Sequence, residues 1–309
     1  MSRFGLLPTF RPGPLGRPVF CGGPEDAGVR VRWLGTACFV VSTKSTTVVV
    51  DPFVSRPALR DVAFRRLVPD GVEVRRRFPA KVDAVVCGHA HYDHAMDAPT
   101  LALATGAKFV GSVTAAHLAR ASGVPEEQLC VVSRLGETVK VGDIELSLVP
   151  SLHGRFVFRR YYLAGGELDA PPKLPAHAAT YKMGGAFGIV LRAGGVTLYH
   201  NGSADLIDAE LEGVRADVLL VGLAGRFGTR NYLKRLVDAL GPSVIMPTHH
   251  DAFFSPLDDG LRLLPGIDLD GFASEVRSLA PAASLVLPLY DEVLAVPSEE
   301  PRRAGFVPS

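Results

Sequence analysis

The sequence predicts a layered α/β protein, and three observations carry that reading. Helix-like and strand-like segments alternate along most of the 309 residues. The apolar runs are short and β-branched, with no sustained heptad or solenoid period. Hydrophobic residues make up 47% of the chain against 21% charged, enough to fill a sizeable core and too many for a disordered or fibrous chain. At about 150 residues per domain the length allows two domains or one large α/β unit. The change of pattern at Val29 favours an arm over 1–28 followed by one unit over 29–309.

Residues 1–28 are rich in Pro and Gly without a period, which predicts an extended arm. Runs at 29–34, 37–42 and 46–50, the last closed by Asp51-Pro52, predict a β-meander. A basic, poorly periodic stretch from Arg65 to Arg77 carries no element. The apolar run 82–87 predicts a strand that ends in Gly88 and a cluster of histidines. Helices follow at 98–105 and 113–122, with strands at 108–111 and 129–133 and a hairpin-like pair at 138–141 and 144–150. Residues 155–185 break the rhythm with Arg, Tyr, Gly and Pro, as expected of a lid-like insertion. Strands at 186–191, 196–200, 218–223 and 244–246 follow, and a helix over 230–240 is stopped by Gly241-Pro242. A helix at 272–279 and a strand at 284–287 close the pattern.

Composition narrows the partners. Lys plus Arg number 33 and Asp plus Glu 32, a formal net charge of +1 that gives no global field for nucleic acid or an anionic membrane. Cys21, Cys38, Cys87 and Cys130 form no CxxC pair, so neither a disulfide scaffold nor a cysteine zinc site is expected. The first twenty residues have no unbroken apolar stretch, which argues against a signal peptide or membrane anchor. The expectation is a cytoplasmic protein with a small-molecule substrate.

The chemistry gathers in His89-Ala90-His91-Tyr92-Asp93-His94, where three imidazoles and a carboxylate fall within six residues just beyond an apolar strand. Imidazole and carboxylate are ligands for zinc or another first-row metal, and a strand-end loop can point alternate side chains into one pocket. A polar surface loop would explain a lone His but not this cluster. His117 lies alone in a helical pattern, as expected of a surface or satisfied structural residue. Cys87 reads as a small core residue.

With that motif the sequence resembles the metallo-β-lactamase-fold hydrolase superfamily over nearly all of the chain from Val29 onward. The order of motifs supports the likeness: Asp51 closes the early meander, the HxHxDH loop follows, His153 stands in Ser151-Leu152-His153-Gly154, and His249 comes late after a strand. Trp33-Leu34-Gly35-Thr36-Ala37 and Val50-Asp51-Pro52-Phe53 resemble the branch containing ascorbate-phosphate lactonase and N-acyl phosphatidylethanolamine phospholipase D.

The resemblance implies an αββα sandwich of two mixed sheets flanked by helices, and a binuclear metal centre. His89, His91 and His153 would form one site, and Asp93, His94 and His249 the other. It also implies a bridging carboxylate in a Gly-Asp after a later strand, where this chain has Asn201-Gly202-Ser203-Ala204-Asp205. Two readings of Asp205 stand: a reshaped loop brings it to the metals, or it caps the turn. Asp51 reads either as the residue holding a ligand His by its far nitrogen or as a strand-ending turn residue. His250 and Asp251 either face the substrate or bond to their own loop.

The function expected is a zinc-dependent hydrolase acting through metal-activated water on an ester, lactone, amide or phosphodiester, with Asp93 orienting the water. One or two ions are expected, iron or manganese being the alternatives to zinc. Within the insertion, Arg155, Arg159, Tyr161 and Tyr181 are the candidates for holding a partly anionic substrate, against a plain solvated surface. Competing readings are an iron enzyme oxidising sulfur and a degenerate member that keeps metal for structure. His91, standing where diiron electron-transfer relatives carry Glu, argues against that diiron branch.

Overall fold

The computed structural model describes residues 28–132, 138–155 and 164–296. Two mixed seven-stranded sheets pack face to face with helices on both outer faces, an αββα sandwich. The first sheet holds β1 (Val29–Trp33), β2 (Phe39–Ser42), β3 (Thr47–Val50), β4 (Ala84–Val86), β5 (Lys108–Gly111) and β6 (Leu129–Val131). The second holds β7 (Thr138–Val141), β8 (Ile144–Ser151), β9 (Ala186–Ala193), β10 (Val196–Asn201), β11 (Val218–Gly222), β12 (Val244–Thr248) and β13 (Ser284–Leu285). The final strand, β14 (Val293–Val296), returns to pair antiparallel with β1 at the edge of the first sheet.

Side-chain alternation assigns the layers. Val48 and Val50 of β3 and Val86 of β4 point into the space between the sheets, meeting Leu148, Ile189, Leu198 and Leu220 of the second sheet. Their neighbours Val49 and Val85 face the opposite way, onto Leu101 and Leu118. Both faces are covered, so these strands read as unbroken β-branched runs. The outer helices of the first sheet are α1 (Leu59–Phe64), α2 (Gly71–Arg77), α3 (Tyr92–Ala95), α4 (Ala98–Thr105) and α5 (Val113–Ala121). On the second sheet, α6 (Tyr232–Leu240) turns Leu233, Leu236 and Leu240 onto Leu219 and Ile245, beside α7 (Leu269–Leu279).

β3, β4, β5 and β6 run parallel, as do β10, β11, β12 and β13. Parallel strands place their carboxyl ends on one edge, which is where α/β sheets open a crevice. Asp51, the His89–His94 loop, Ser203 and His249 all leave such ends, and His153 follows β8.

Four elements escaped the periodicity reading, among them the single turn α3 inside the histidine loop. α2 lies inside the basic stretch, held by Asp70, whose carboxylate accepts from the backbone N–H of Val72 and Glu73; the spacing Asp70 to Glu73 was its sequence signal. α1 buries none of its residues and has no apolar stripe to show. β14 follows a turn with no strong breaker. No helix among the described residues is long and apolar enough to cross a membrane.

Candidate metal centre

The described residues hold two groups whose possible ligand atoms lie within 4.8 Å of one another: His89, His91 and His153 in one, Asp93, His94 and His249 in the other. They adjoin, the rings of His89 and His94 being 3.8 Å apart between centroids. In the second group Asp93 Oδ2 lies 3.3 Å from His249 Nε2 and 3.8 Å from His94 Nε2. Ligand atoms about 2.1 Å from a tetrahedral ion stand roughly 3.4 Å from each other, so this triangle has the size a metal requires.

Hydrogen bonds behind the rings fix which nitrogen faces inward. His94 Nδ1 lies 2.9 Å from Asp51 Oδ2, leaving Nε2 towards Asp93 and His249. His153 Nδ1 lies 2.9 Å from the Gly154 carbonyl. A donated proton on Nδ1 leaves the lone pair on Nε2, as a metal ligand needs. His89 Nε2 is buried and makes no hydrogen bond, an arrangement that is costly unless something such as an ion accepts its lone pair.

Burial and the neighbouring imidazoles push His89 well below the usual histidine range, and burial with His91 lowers His153 to about 3. Both stay neutral at pH 7, the state in which imidazole coordinates. Burial alone would raise the Asp93 carboxyl, but His94 and His249 outweigh it and hold the group ionised. Asp51 follows the same balance and falls to about 2, with burial opposed by His94 and His200.

Asp51 anchors the site. Its Oδ1 accepts from the Gly88 N–H at 2.7 Å, while Oδ2 meets His94 and, at 3.2 Å, His200 Nε2. It therefore joins the end of β3 to the metal loop and to β10. A Cβ at Gly202 would stand 3.0 Å from His200 Nε2 and 3.2 Å from Asp51 Oδ2, so only glycine fits there without displacing them. Asp51→Asn weakens the second acceptor of this network, and we expect metal affinity to fall about 10- to 100-fold with the fold retained. A competition titration with a chromogenic chelator, run beside circular dichroism, measures both; unchanged affinity in a folded variant would reduce Asp51 to a turn residue.

Other sequence candidates go elsewhere. Asp205 does not join either group: its carboxylate caps its own turn through the Leu206 N–H at 2.8 Å and lies 3.7 Å from Arg235 Nη1. The loop is not reshaped to bring it inward, because Asn201 spans the turn through the Ala204 N–H and the Asp205 carbonyl. His250 stacks on Trp33, with ring centroids 4.8 Å apart, and bonds to the Thr248 backbone of its own loop. Tyr181 is buried at 3% exposure and lines a cavity of about 300 Å³ with Leu67, Met96 and Leu118, a cavity none of the six donors lines. Arg155 is exposed, and Arg159 and Tyr161 lie outside the described residues.

Sequence reasoning missed His200 as a partner of Asp51, since a lone His in an apolar strand carries no signal. It also missed the support under His249. Asp251 is fully buried and bonds to Arg56, to the Tyr290 hydroxyl at 2.7 Å and to the Thr36 N–H at 2.8 Å. His249 itself has φ +52° and donates its N–H to the Thr36 carbonyl. These contacts tie three distant segments together beneath one donor.

Comparison with known proteins agrees with this geometry. Residues 30–249 match the β-lactamase superfamily domain. A UPF0173 metal-dependent hydrolase of Anaeromyxobacter dehalogenans is 30% identical over 233 residues, covering 72% of this chain and 75% of the relative. Among solved structures, a metallo-hydrolase from Ignicoccus hospitalis superposes with a TM-score of 0.57 at 20% identity, covering 86% of this chain and 97% of its own. The diiron β-hydroxylase CmlA of Streptomyces venezuelae has a TM-score of 0.55 at 15% identity, over 87% of this chain and 54% of its own. At such identities these two structures speak to the fold alone.

Proposed function

The chain belongs to the β-lactamase superfamily as a metal-dependent hydrolase, and from that premise we propose that it is a zinc enzyme cleaving an ester, lactone, amide or phosphodiester of a small anionic molecule. One observation carries the reading: two adjoining donor groups, five imidazoles and one carboxylate, on the edge where parallel strands end. That nitrogen-rich set suits zinc better than magnesium or calcium, which prefer oxygen.

When bound, zinc supplies a water whose pKa is lowered towards neutrality and a Lewis acid for the carbonyl or phosphoryl oxygen. The rest falls to the chain. Asp93 is ionised and lies against His249 with Oδ2 among the donor atoms, which leaves its other carboxylate oxygen to orient the attacking water. Asp51 and the Gly154 carbonyl keep His94 and His153 in the coordinating tautomer. The lid-like insertion at 155–185 gives specificity in this reading. Its described end is fastened to the metal loop by the Ala90 N–H on the Met183 carbonyl at 2.9 Å, and Arg155 stands exposed at its start.

Stripping the protein with a chelator should abolish hydrolysis across a panel of lactones, acyl esters and phosphodiesters, and added zinc should restore it. A form with the insertion shortened should keep its metal and change its substrate ranking. Full activity in the stripped protein would refute metal dependence, whereas an unchanged ranking would place specificity elsewhere.

A further inference from the structure

The centre is short of negative charge. Of the six candidate ligands only Asp93 is anionic. Asp51 spends its carboxylate on His94, His200 and the Gly88 N–H, and Asp205 lies against Arg235. The segment that could supply a second carboxylate passes both groups. His200 touches Asp51 behind His94, and a few residues on Ala204 pairs with His153 while the Ser203 carbonyl accepts from the Gly154 N–H at 2.6 Å. Between those contacts stands Ser203, 2% exposed, its hydroxyl buried without a hydrogen-bond partner. Among the described residues no second carboxylate joins either donor group, and the stretch that passes them carries Ser203 there.

Two divalent ions a few ångströms apart repel with four times the strength of two unit charges, and an anion shared between them offsets that repulsion. We infer that the two groups bind metal unequally, the first ion entering at Asp93, His94 and His249 and the second held weakly by His89, His91 and His153 because no second carboxylate joins the pair. The order follows from where the anions are. Asp93 lies in the first group, and Asp51 stands behind His94, strengthening that ligand. The three-imidazole group is neutral and feels the first ion without a carboxylate of its own.

This inference rests on the metal-centre reading, and its test separates the two. Full-length protein stripped of metal is titrated with zinc alone by calorimetry, with a weak competitor present. The parent should show two phases, the second at least tenfold weaker. His249→Ala should leave a single phase, and His89→Ala should remove the weak phase while keeping the tight one at the parent affinity. Ser203→Asp should strengthen the second phase tenfold or more, while Ser203→Asn, of similar size but neutral, should not. Asp205→Asn should leave both phases unchanged. Two equal tight phases in the parent would overturn the inference while leaving the metal centre intact, as would loss of the tight phase in His89→Ala. If Ser203→Asp fails to fold, the two histidine variants still decide it. Zinc binding indifferent to both histidine variants would overturn the metal-centre reading as well.

Discussion

Replacing one donor in each group, His89→Ala together with His249→Ala, should leave the protein folded and without bound metal. Each change deletes a ligand from a three-residue set, and the two remaining donors cannot hold an ion against water. The loss of metal removes the lowered-pKa water and the Lewis acid together, so hydrolysis should fall by on the order of 10³-fold or more. Elemental analysis and a fixed-substrate assay on the same preparation measure the two effects. Neither ring is part of the apolar layers, so near-native thermal unfolding of the stripped forms is expected. A double variant that keeps the parent metal content would refute the assignment.

The second large effect concerns stability. Asp251→Ala removes the only acid that Arg56 meets among the described residues, and Arg56 is itself 3% exposed. An unpaired buried guanidinium costs about 3–5 kcal/mol. At roughly 2–4 °C per kcal/mol for a chain of this size, thermal unfolding should drop by about 10 °C. The Tyr290 hydroxyl and the Thr36 N–H lose their acceptor as well, and Thr36 holds the His249 backbone. Metal affinity should therefore weaken along with stability. The double variant Asp251→Ala with Arg56→Met should recover much of the lost stability, because it removes the stranded charge. A drop below about 1 kcal/mol in Asp251→Ala would show that water reaches Arg56 and that the pair is not a buried support.

How much of this was legible in the sequence follows from what each feature encodes. Strands such as β3 and β11 announce themselves because both faces are covered and nearly every position is apolar. The six donors could be named because the HxHxDH spacing is local and because His153 and His249, each after a strand, stand in the motif order of the family the sequence resembles. What stayed hidden was contact across the fold. His200 meets Asp51 from 149 residues away, and Arg56 meets Asp251 from 195. No local pattern records such pairs. Asp205 was ambiguous for a related reason: an Asp in a turn looks the same whether it faces a metal or Arg235. Tyr181 was grouped with the substrate side because aromatic residues in an insertion resemble a lid, yet its ring belongs to the helical layer.

The most direct measurement is anomalous diffraction at the zinc absorption edge from crystals of the full chain grown with zinc. The account predicts a strong peak about 2.0–2.2 Å from Asp93, His94 and His249, and a weaker one at the same distances from His89, His91 and His153. No peak within reach of either group, with zinc bound elsewhere on the protein, would contradict it.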